Sequence, residues 1–137
     1  YLAHGWKLCT IEPGSKGPKS AGWNTQERAV RTPGQWPLGF GAGLLHAWSG
    51  TCALDIDNME VADAWLLERG VDLHALLAAP DSVQISSGRE GRAKLIYALP
   101  KPLASLKEAP YAQLDPATGK QKTYHGLELR CATDSGL

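Results

Sequence analysis

The chain predicts a mixed α+β fold, one mostly antiparallel sheet with helices packed on it. Three observations carry that expectation. Apolar stretches of strand length come in pairs separated by turn formers, helix-patterned stretches lie between the pairs, and 137 residues with 43% hydrophobic content match one ordinary globular domain. A chain of this length buries roughly two thirds of the surface it exposes when unfolded, enough for one core without staples.

The opening YLAHGWKLCTIE reads as a short apolar helix end or strand, and the PGSKGPKSAGWN that follows is a loop of turn formers carrying Lys16 and Lys19. Asn24 and Glu27 have capping-box spacing, which predicts a short helix over residues 25–30 that stops before Pro33. GFGAGLLHAWSGTCALDID reads as a hairpin turning at Ser49-Gly50-Thr51. The clearest helix is MEVADAWLLERG, with Val61, Trp65 and Leu66 on one side and Gly70 at its stop. Asp72 caps a second short helix through Leu73, Leu76 and Leu77 that ends before Pro80. A second hairpin follows in SVQISSGREGRAKLIYALP, where SGREG is the connection and Leu95, Tyr97 and Leu99 share a face of the return strand. Residues 101–123 are less regular, and GLELRC is the final strand.

Composition excludes several classes. No apolar run approaches the ~18 to 20 residues of a spanning helix, and the first residues lack the charged-then-apolar plan of a signal peptide, so a soluble cytoplasmic protein with no membrane partner is expected. Cys9, Cys52 and Cys131 are far apart, with no C-x-x-C and no histidine at zinc spacing, and read as core cysteines. The net charge of zero conceals a partition: residues 1–31 carry five bases and two acids, residues 32–81 one and seven, and residues 82–137 eight and five. Two basic flanks around an acidic centre suit a polyanion held over metal-binding carboxylates.

Those carboxylates have a pattern. In CALDIDN, the two-residue period of a strand sends Cys52, Leu54 and Ile56 to one face and Asp55 with Asp57 to the other. Paired acids at a strand end repel unless solvent, Lys/Arg or a divalent cation neutralises them. GLELRC repeats the arrangement, with Leu127, Leu129 and Cys131 inward and Glu128 and Arg130 outward. If the two strands are neighbours, Asp55, Asp57 and Glu128 converge on two Mg²⁺ or Mn²⁺ ions, as two-metal phosphoryl transfer requires. The SGREGRAK hairpin adds Arg89, Arg92 and Lys94 beside Ser87 and two glycines, cationic groups and backbone amides suited to a triphosphate. The histidines lack ligand spacing and read as structural; His125, three residues before Glu128, is the one nearest an acid of interest.

As an ordered set, the Lys/Pro loop ending in Gly-Trp-Asn, the G-x-G-L-x-H strand, SGTCALDID, SGREGRAKLIY and GLELRC resemble the primase-polymerase (prim-pol) domain of the archaeo-eukaryotic primase superfamily, particularly its phage and prophage branch. The resemblance covers nearly the whole chain. It implies template-dependent nucleotidyl transfer, in primer synthesis or DNA polymerisation, on a primase-like catalytic core. Asp55 and Asp57 match the family's metal-binding D-x-D, and Glu128 falls where its third acidic ligand lies. Ser87, Arg89, Arg92 and Lys94 match the motif that touches the incoming nucleotide's phosphates. Lys16 and Lys19 match a loop suited to nucleotide or template contact. Implied partners are nucleoside triphosphates, a single-stranded DNA template and a helicase domain in a parent protein.

Two departures stand out. Lys94 stands where many members have the histidine of a Ser-x-His motif, so a point charge replaces an imidazole. The chain also stops at Leu137, soon after the third acid, whereas the family continues into further strands, which implies a fragment of a single catalytic domain. Single strands are tracked by basic grooves with stacking aromatics, and Trp6, Trp23, Trp36 and Trp48 are candidates, although most tryptophans read as core or loop anchors. Two other readings stay open: a catalytically degenerate nucleic-acid or nucleotide-binding module, and a D-x-D metal-dependent glycosyltransferase, which explains the aspartates but gives Glu128 and the hairpin cations no role.

Overall fold

A computed structural model describes residues 1–86 and 88–131. Among these, the strands form two antiparallel-paired sheets rather than one, a ribbon of β1 (Leu8–Ile11) and β2 (Gly41–Leu44) and a five-stranded sheet. The chain divides into two compact units, Tyr1–Cys52 with Ala98–Ala104 and Cys131–Leu137, and Ala53–Tyr97 with Ser105–Arg130. The fold class is α+β, as expected.

In the first unit, Leu8 lies opposite Leu44 and also bridges Val30, whose N–H donates to the Leu8 carbonyl at 2.8 Å. That bridge explains why the expected helix over residues 25–30 is a series of turns instead. A segment this short depends on its tertiary contacts for helicity, and Val30 is held in an extended pairing. Cys9, Ala29 and Leu45 form the buried cluster, with Trp23 against it. Burial pushes the Cys9 thiol's pKa up, and its Sγ donates to the Gly43 carbonyl, the features of an inert core cysteine.

The expected hairpin over residues 39–57 is also corrected. Its first strand, β2, pairs with β1, and a single helical turn, α1 (His46–Ser49), intervenes before β3 (Thr51–Ile56). Ser49 Oγ donates to the Leu45 carbonyl and accepts from the Lys7 N–H, while Gly50 at φ 64° ends the turn in the left-handed region. An apolar run such as GLLHAW fits a buried strand or a helical turn equally well, and the Lys7 pairing decides it.

The five-stranded sheet has the order β4-β5-β3-β7-β6, with β4 (Val83–Ile85), β5 (Ala93–Ala98), β6 (Leu106–Leu114) and β7 (Gln121–Arg130). The β4–β5 hairpin is the one the alternation predicts. The region expected to be irregular contains β6, nine residues long despite Pro110 in its middle. As the sheet's edge strand, β6 tolerates the missing N–H of proline.

Helices α2 (Met59–Leu67) and α3 (Leu73–Ala78) bury the apolar side of the second unit. Asn58 and Asp72 are their N-caps, accepting from the Val61 and Ala75 N–H groups. Ile56, Ala62, Leu66, Leu73, Ala109 and Leu127 form the core. This packing turns one side of β3 and β7 to the helices and leaves the other for polar side chains.

Candidate active site

Each acid of the site is positioned by backbone pairing. Antiparallel β3 and β7 place Asp55 directly opposite Glu128 and Ile56 opposite Leu127. Ile56 is 1% and Leu127 2% exposed, so the core fixes which side both carboxylates take. Asp57 lies just past the end of β3, where its N–H donates to the Gly126 carbonyl at 2.9 Å, as does that of Asn58 at 3.1 Å. The Met59 N–H donates to the Gly91 carbonyl, tying the β4–β5 connection to the start of α2. Arg92, the next residue, therefore reaches Asp57.

The side chains form a charged network. Arg130 Nε donates to Asp55 Oδ2 at 2.9 Å, and Arg130 Nη2 lies 2.9 Å from Glu128 Oε2, so one guanidinium bridges two carboxylates on neighbouring strands. Lys94 Nζ is 3.1 Å from Asp55 Oδ2, Arg92 Nη1 is 2.9 Å from Asp57 Oδ1, and Lys107 Nζ is 4.0 Å from Glu128 Oε1. Three acids thus meet four cations. Asp55 and Glu128 side chains are each 16% exposed, whereas Asp57 is 40% exposed, so the first two are the more shielded from water and salt.

The structure brings some of the sequence candidates together. Asp55, Glu128 and Lys94 share one network, and Asp57 pairs with Arg92. Among the described residues, no three Asp, Glu, His or Cys side chains are gathered closely enough to hold one metal ion. Arg89 is exposed on the connection between β4 and β5, and Ser87 lies outside the described residues. Lys16 and Lys19 are exposed on the loop between β1 and β2, within the first unit. His125 is half-buried, its Nδ1 without a hydrogen-bond partner. The tryptophans are engaged in packing and anchoring: Trp6 stacks on Tyr1, Trp23 packs on the Cys9 cluster, and the Trp36 and Trp48 indoles donate to the Phe40 and Asn24 carbonyls.

Two residues that the motif reading passed over matter here. The alternation places Arg130 outward beside Glu128 and assigns it no role; its bridging contact depends on a pairing 75 positions apart. Gly126 is the second. A Cβ there would sit 3.1 Å from Val61 Cγ1 and 3.2 Å from the Ala62 nitrogen, so a side chain would force the start of α2 to give by a few tenths of an ångström. Glycine inside a strand is a sequence signal of close backbone approach. We expect Gly126→Ala to destabilise the protein by about 1–3 kcal/mol through overpacking, read by denaturant unfolding, because α2 must move off β7.

A family model described as the bifunctional DNA primase/polymerase, N-terminal domain, Prim-Pol, matches residues 1–135. The chain belongs to the Prim-Pol family. The match extends over both compact units, and membership supports a general role in primase/polymerase nucleotidyl transfer. No curated protein and no solved structure matches this Prim-Pol chain. No helix among its described residues is long and apolar enough to cross a membrane.

The donor set of this Prim-Pol site is carboxylate oxygen, the ligand type that suits Mg²⁺ and Mn²⁺ rather than softer metals. Asp55 and Glu128 already converge on one cationic group, the Arg130 guanidinium, so the locus between them accommodates positive charge. By donor chemistry and charge the residues suit the ions that the motifs imply, although among the described residues no three acids are gathered closely enough to hold one ion.

Proposed function

We propose that this chain performs template-dependent nucleotidyl transfer, in primer synthesis or DNA polymerisation, with Asp55, Asp57 and Glu128 holding two Mg²⁺ or Mn²⁺ ions. The observation that carries the reading is the pairing of Asp55 against Glu128 on adjacent strands, with Lys94 and Arg92 beside them, in a Prim-Pol chain. When bound, such ions lower the pKa of a primer 3′-hydroxyl and neutralise the triphosphate and departing pyrophosphate.

The chain's own residues do the rest. Asp55 and Glu128, on rigid strands, set the spacing of the oxygen ligands, while Asp57 at the strand end supplies a more exposed oxygen. Arg92 and Lys94 reach the acids from the β4–β5 side and act on the phosphates: Arg92 offers a planar fork to two oxygens, and Lys94 a point charge. Ser87 and Arg89 belong to the same motif and extend the phosphate-binding segment; Lys16 and Lys19 offer further nucleotide or template contact. No covalent enzyme intermediate is required. The substrates are nucleoside triphosphates on single-stranded DNA, and a helicase domain in a parent protein is the expected partner. A phage or prophage origin and a cytoplasmic setting accompany this reading.

We expect nucleotide incorporation on a single-stranded template to require Mg²⁺ or Mn²⁺ and to cease on chelation. Synthesis indifferent to a chelator would remove the metal assignment. Transfer from a UDP-sugar would favour a glycosyltransferase, and metal-independent strand binding without synthesis, even by the full-length parent, a binding module.

A further inference from the structure

We propose that Arg130 is a positioning residue that occupies the space between Asp55 and Glu128 until a divalent cation displaces it. The inference rests on reading these two carboxylates as metal ligands. Its ground is geometric: Nε and Nη2 of one guanidinium each lie 2.9 Å from a carboxylate oxygen, one on β3 and one on β7. Asp55 Oδ2 also takes Lys94 at 3.1 Å, so one oxygen carries two cationic contacts.

Two effects give the competition its sign. A carboxylate held by arginine is not available to a metal, so the apparent affinity is the intrinsic affinity multiplied by the fraction of molecules in which the bridge is open. Removing the guanidinium also leaves two like charges opposed on neighbouring strands, which raises the free energy of the metal-free state. Loss of preorganisation would act the other way. It is the smaller effect here, because the ladder register of Asp55 with Glu128, and not the side chain of Arg130, holds the two backbones opposite each other. The first two effects outweigh the third, and metal binding is tighter without the arginine.

Arg130 is 46% exposed at its side chain, so it can leave toward solvent without opening the core. A lysine at the same position keeps the charge but loses the fork, and cannot donate to both carboxylates at once with the same geometry. The two variants therefore separate charge from bridging.

The test is Mn²⁺ binding to the chain in the absence of nucleotide, followed by electron paramagnetic resonance of the free ion, with the Mn²⁺-induced rise in melting temperature as a second readout. We expect Arg130→Gln to bind Mn²⁺ about three- to tenfold more tightly than the wild type, the scale of one or two partly exposed ion pairs. Arg130→Lys should fall between them. Even if Arg130→Gln folds poorly without metal, Arg130→Lys still decides the matter by its own affinity. Unchanged or weaker Mn²⁺ binding in the folded variants would overturn the role of Arg130 while leaving the metal reading intact, provided that Asp55→Asn abolishes wild-type binding. If neither the wild type nor any Arg130 variant binds Mn²⁺, the metal reading fails and this inference with it.

Discussion

Replacing Asp55 and Asp57 together with alanine should lower template-dependent incorporation by about a thousandfold or more, the scale expected when the principal electrostatic stabiliser of a transition state is removed. The fold should persist. The apolar side of β3 is untouched, because Ile56 stays in the core opposite Leu127 and the Asp57 N–H still reaches the Gly126 carbonyl. The cations left behind can turn toward water, since the side chains of Lys94, Arg92 and Arg130 are 33%, 44% and 46% exposed. Exposed and partly exposed ion pairs contribute only about 0–1 kcal/mol each, so losing the three pairs of Asp55 and Asp57 should lower the melting temperature by about 12 °C at most. Incorporation and melting measured on the same sample decide the point. Activity within about tenfold of the wild type, in a folded double mutant, would detach these acids from the chemistry. Glu128→Gln should reproduce most of the loss, because the cross-strand partner of Asp55 belongs to the same locus.

The two strands that matter were legible because their sequences obey a strict alternation. CALDID and GLELRC each carry apolar residues at every second position, and a one-residue slip would put Ile56 or Leu127 in water and an acid in the core. The faces were therefore determined locally. The helix caps Asn58 and Asp72 were legible for the same reason, since a cap bonds to a backbone N–H only three residues on.

What was not legible depends on partners distant in the chain. That β3 lies beside β7, and not beside β2, follows from which strand finds an unpaired edge, and no spacing within GLLHAWSGTCALD encodes it. The departures from the expected hairpin over residues 39–57 and the expected helix over residues 25–30 share this cause: β1 pairs with both β2 and Val30. β6 was hidden by its proline, which argues against a central strand but says nothing against an edge. Arg130 was hidden because a charge beside an acid on an outward face is ordinarily solvated, and only the register makes it a bridge.

Ile56→Ala should give the opposite pattern to the aspartate pair: a large loss of stability with activity retained below the melting transition. Ile56 is 1% exposed and packs in the cluster with Ala62, Leu66, Leu73 and Leu127. Truncating it removes three carbons and leaves a cavity that the helices fill incompletely, at a cost of about 2–5 kcal/mol. For a chain of this length that lowers the melting temperature by about 8–20 °C. The carboxylates on either side should nevertheless hold their places, because Asp55 is set by its pairing with Glu128 and Asp57 by its backbone bond to Gly126, neither of which uses the Ile56 side chain. Specific activity well below the new transition should therefore stay within about threefold of the wild type. Thermal unfolding and incorporation at several temperatures separate the outcomes. An unchanged melting temperature would mean that Ile56 does not anchor this core; activity lost at temperatures where the variant is folded would mean that packing beneath β3, and not register alone, sets the acids.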